Sequence, residues 1–76
     1  MKRYDLRHLK RDFESRMFDI INNSQKGEVL IFLFETINED CLQKLMRDIE
    51  ENGDEILNSL RFNEVDWTMV LRAKGR

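Results

Sequence analysis

Seventy-six residues with a net charge of −2, one cysteine and one histidine are one domain's worth of chain, with no internal disulfide. A zinc site of three or four Cys/His ligands is beyond such a chain on its own. A chain this short buries only about 60% of its unfolded surface and lacks the staples of small scaffolds, so residues 1–76 are expected to form a single domain of modest stability, monomer or weak homodimer.

A lone thiol fits a reducing compartment. The start, Met1-Lys2-Arg3-Tyr4-Asp5, is not followed by the apolar stretch of a signal peptide. The longest apolar run, Val29 to Phe34, is far too short to span a bilayer. The expectation is a cytoplasmic protein without a membrane partner. Charge is unevenly placed, with a balance of +4 over residues 1–11 and −6 over residues 35–55. A solvated acidic helix face plus a basic tail accounts for most such layouts; the sharper reading brings the basic end to an anionic partner.

Along the chain, Tyr4 and Leu6 alternate with Arg3 and Asp5, predicting a short strand over 3–6. Leu9, Phe13, Met17 and Ile20/Ile21 recur at helical spacing, predicting an amphipathic helix from Asp12 to Asn23 with Asp12 as N-cap. Val29-Leu30-Ile31-Phe32-Leu33-Phe34 reads as a central strand needing cover on both faces. Thr36-Ile37-Asn38-Glu39 fits a capping box. Leu42, Leu45, Met46 and Ile49 form the stripe of a second helix, ended by Gly53. Ile56, Asn58, Leu60 and Phe62 alternate, as do Val65, Trp67, Met69 and Leu71, so a hairpin turning near Asn63-Glu64 closes the chain. Trp67 is its expected core anchor. The order βαβαββ, with right-handed crossovers, predicts an α/β two-layer sandwich: a mixed four-stranded sheet with two helices on one face. The other face is left partly greasy, covered either by its own side chains or by a partner or second copy.

The segment Tyr4-Asp5-Leu6-Arg7-His8-Leu9-Lys10 resembles the opening of the TusA/SirA-like sulfur-carrier proteins, a short strand reading roughly L-D-x-R-G-L. Gly27-Glu28 before the apolar strand matches that family's next landmark, and the second helix and closing hairpin complete its pattern. The chain departs from it where the family carries Cys-Pro-x-Pro: here Arg11-Asp12-Phe13-Glu14 stands instead, and His8 replaces a glycine. The resemblance implies the carrier scaffold without the persulfide-bearing thiol, hence a non-catalytic protein-interaction or regulatory module in a sulfur-handling or redox context.

Two residue groups are candidates for function. Arg7, His8, Lys10 and Arg11, placed at the start of the first helix, would suit an anion or an acidic protein partner, since helix N-terminal N–H groups favour negative charge. Cys41, early in the second helix, is the candidate reactive thiol; the helix dipole favours its thiolate while Glu39 and Asp40 oppose it, and inward packing is the commoner fate of a lone cysteine. The alternatives are therefore a thiol or persulfide carrier using Cys41, and a nucleic-acid binder using Arg3, Arg7, Lys10 and Arg11 with Tyr4 stacking, which the overall acidity disfavours. No phosphate-binding loop, dinucleotide motif or nucleophile elbow is present, and no cofactor, metal or catalytic residue is expected.

Overall fold

The computed structural model describes residues 1–36, 39–63 and 65–75, and the side chains of Lys10 and Arg11 lie outside that description. Strand β1 (Lys2–Asp5) is followed by a 3-10 helix (Arg7–Asp12), α1 (Phe13–Asn22), β2 (Val29–Glu35), α2 (Glu39–Glu51), β3 (Glu55–Arg61) and β4 (Asp66–Arg72). The sheet order is β1-β2-β4-β3, with β1 parallel to β2 and the other neighbours antiparallel. Both helices cover one face, as the crossover rule requires. Among the described residues no helix is long and apolar enough to cross a membrane.

The core follows from the two periodicities. Leu30, Phe32 and Phe34 of β2 and Met69 and Leu71 of β4 point to the helices, and Met17, Ile21, Leu42, Leu45 and Ile49 come down on them from α1 and α2. Phe13 stacks on Phe34, with ring centroids 4.8 Å apart. Tyr4 stacks on Phe32 at 5.5 Å, so the edge strand β1 is held by a ring contact as well as its ladder. Trp67 packs against this core as its alternation predicted, with the Arg61 guanidinium 5.7 Å from the ring centroid.

The end of α2 is a Schellman motif, satisfying carbonyls that the helix itself leaves unpaired. Asp54 N–H donates to Ile49 O and Gly53 N–H to Glu50 O. Gly53 has φ +95°, a left-handed conformation costly to any residue with a Cβ. The expected capping box at the start of α2 includes Ile37 and Asn38, which lie outside the described residues.

Three features differ from the sequence expectation. The segment before α1 is a 3-10 helix, so the α-helix proper begins at Phe13; Asp12 stands at its N-cap position with no side-chain capping bond. Cys41 is exposed. It sits about 100° around the helix from Leu42, outside the stripe formed by Leu42, Leu45 and Ile49, so the packing role does not apply. Finally, a bulge between Ile56 and Asn58 breaks the period of β3. Ile56 faces the helices, whereas Leu60 falls opposite Thr68 on the uncovered face. The bulge inverts the alternation, which leaves Leu60 51% and Phe62 61% exposed.

Candidate functional site

Three carboxylates end up together because three strands have termini at the same end of the sheet. Asp5 closes β1, Glu35 closes β2 and Asp66 opens β4, and the register sets Glu35 directly opposite Asp66. Like charges facing each other across a ladder repel. The chain answers with Arg7, the second residue beyond β1. Its Nε and Nη2 donate to Oδ1 and Oδ2 of Asp5 at 2.9 and 2.7 Å, and its backbone N–H reaches Oδ1 at 3.1 Å. Its Nη1 lies 3.9 Å from Asp66. Asp5, Arg7, His8, Glu35 and Asp66 line a pocket of about 480 Å³.

The side-chain bond from Arg7, reinforced by its backbone N–H, holds the Asp5 carboxyl at about 2, well below its usual value of 3.8. A carboxylate depressed in this way contributes its stabilisation above the unfolded value, and the contribution disappears as pH falls through the folded one. An acid titration followed by carboxyl NMR shifts is therefore expected to place the Asp5 midpoint near 2. A midpoint near 3.8 would mean that the Asp5–Arg7 fork does not persist in solution.

Arg7 and His8 thus share one pocket, and three carboxylates accompany them. With two guanidinium nitrogens engaged by Asp5, the pocket has a surplus of negative charge and suits a cationic group better than an anion. Lys10 and Arg11 belong to the same 3-10 helix, ahead of α1. The four basic residues therefore precede the α-helix instead of crowding its first turn. Cys41 lies on α2, apart from the residues that line this pocket. Among the described residues no group of three or more His, Cys, Asp and Glu is placed to hold a metal, and the pocket pairs no nucleophile with a base.

Sequence reasoning marked Arg7 and His8 but missed Asp5, Glu35 and Asp66 as their neighbours. The signal available was positional: each of the three is an acidic residue at the very end of an apolar or alternating strand.

The order of elements, their layering and the missing Cys-Pro-x-Pro agree with a divergent TusA/SirA-like scaffold. Among solved structures, the solution structure of HP1264 from Helicobacter pylori is 42% identical, covering 99% of this chain and 100% of that one, with a TM-score of 0.65. No curated protein matches the sequence. A family profile described as the putative NADH-ubiquinone oxidoreductase E-chain matches residues 1–73. The protein, on its TusA/SirA-like scaffold, therefore belongs to the NADH-ubiquinone oxidoreductase E-chain family so described.

Proposed function

We propose that this protein is a non-catalytic accessory subunit that docks by protein–protein contact in an assembly of the NADH-ubiquinone oxidoreductase type. The observation that carries the reading is the family match over residues 1–73. It supplies the redox side of the context implied by the scaffold. One cysteine and one histidine are too few soft ligands for an iron–sulfur cluster held by this chain alone. The contribution left to it is contact. Arg7, His8, Lys10 and Arg11 form the contact segment of this reading, close to the pocket described above.

Removing the protein from its native cell is expected to lower NADH:ubiquinone reductase activity in isolated membranes. Re-supplying the wild type restores it, and so does Cys41→Ser. Charge reversal at Arg11, which leaves the Arg7–Asp5 fork in place, is expected to fail to restore it while leaving the purified protein folded. Unchanged membrane activity after removal would sink the subunit reading.

The exposure of Cys41 favours a second reading, a persulfide carrier acting through that thiol. Its outcome in the same experiment is opposite: Cys41→Ser would then fail where the wild type succeeds. The nucleic-acid reading gains nothing from the structure, because Arg7 is paired with Asp5 and set among carboxylates.

A further inference from the structure

The sheet face away from the helices is ordered in rows across the strands. Val29, Arg72 and Glu55 make the first row; Arg3, Ile31, Val70 and Asn58 the second; Asp5, Leu33, Thr68 and Leu60 the third. Glu35 and Asp66 make the fourth, where Phe62 N–H donates to Asp66 O and extends the ladder. The centre is apolar; one end carries Arg3 and Arg72, the latter 3.3 Å from Glu55, and the other carries Asp5, Glu35 and Asp66, with Arg7 forked on Asp5. Thr68 Oγ1, in the middle, is buried without a hydrogen-bond partner among the described residues.

We propose that this face pairs with the same face of a second copy of the protein, about a two-fold axis lying in the interface and running across the strands. Such an axis exchanges the first row with the fourth and the second with the third. Arg3 of each copy then meets Asp5 of the other, and Arg72 meets Asp66. Ile31 meets Leu33, and Val70 meets Thr68. The two charged pairs and the Ile31–Leu33 pair are complementary, as an isologous contact demands, while the flanking pairs set Glu35 against Val29, Asn58 against Leu60 and Glu55 against Phe62. Charge also selects the axis: one running along the strands would set Glu35 against Asp66 and repel. Arg3 is exposed and enters no ion pair among the described residues, which leaves it available for this contact.

Aligned sheets cross at about 30°, an offset that arginine side chains can follow. Four strands about 4.8 Å apart and seven residues of about 3.3 Å rise make a face of roughly 19 by 23 Å. That is small for a stable interface, so the pair is weak and depends on concentration. The inference stands independently of the subunit reading.

Sedimentation of the purified protein, in a series reaching millimolar concentration, is expected to show a monomer–dimer equilibrium that weakens with salt. Arg3→Asp and Asp5→Arg are each expected to dissociate about tenfold more readily, since attraction at two symmetric contacts becomes repulsion. Mixed together, the two variants are expected to form a heterodimer, because each then supplies the charge the other lacks. Circular dichroism checks that each variant is folded. Should Asp5→Arg disturb the Arg7 fork, Arg72→Asp tests the other charge contact through the same loss of dimer. A monomer throughout the series would overturn the proposal. So would a dimer indifferent to these reversals, or a face protected only by a different protein.

Discussion

Phe32→Ala is expected to remove about 3–5 kcal/mol of stability, the range for emptying a buried aromatic site. Phe32 is fully buried in the central strand, with Tyr4 stacked on it from one side and Met69 opposite it on the other. Its loss opens a cavity between sheet and helices and also frees the ring that anchors β1. A protein of this length has on the order of 4–11 kcal/mol in total. The substitution therefore takes a large part of it, and the variant is expected to be partly unfolded at ambient temperature. Leu60→Ala, on the bulged and uncovered side of β3, should change stability by no more than about 0.5 kcal/mol. Urea unfolding of both variants checks the contrast. Equal losses would show that the two faces of the sheet are not packed as differently as described.

Asp54→Ala is expected to cost about 1–3 kcal/mol, through unmet hydrogen bonds rather than lost volume. Asp54 is only 5% exposed. Its Oδ1 accepts from the backbone N–H of Lys74 at 2.9 Å, and its Oδ2 accepts from Asn52 Nδ2 at 2.8 Å. One carboxylate thus ties the end of α2 to the segment after β4, two pieces 20 residues apart in sequence. Removing it leaves a partly buried amide without an acceptor. Asp54→Asn keeps an acceptor oxygen and should recover most of the stability. Hydrogen exchange at Lys74 is the direct readout: it should speed up in the alanine variant and much less in the asparagine one. Unchanged exchange in both would rule out the tie.

These expectations rest on a fold that is largely legible in the residues alone. The apolar run of β2, the stripe of α2, the glycine at its end and the alternation of β4 each impose one local answer. The topology follows from the order of elements and the handedness of their crossovers. The features that escaped depend on distant partners. Leu57 beside Ile56 and Asn58 among the apolar positions interrupt the alternation, but only the pairing with β4 shows the interruption to be a bulge. The 3-10 segment is held in part by Leu6 N–H donating to Leu33 O, a bond to another strand. Cys41 is the exception: its position outside the Leu42, Leu45 and Ile49 stripe follows from the local helical angle and could have been read from the sequence. The candidate site was half legible because it, too, depends on distant partners. Arg7 and His8 stood out as local charges, whereas Asp5, Glu35 and Asp66 converge only when the strands are in register.

Co-migration tests the central claim most directly. The tagged protein is expressed at native level, membranes are solubilised gently, and the extract is resolved on a native gel stained for NADH oxidation. Membership of the assembly predicts that the protein runs in the NADH-oxidising band, with NADH-ubiquinone oxidoreductase subunits identified beside it. The protein running only at its own small size, apart from a fully active band, would contradict the account.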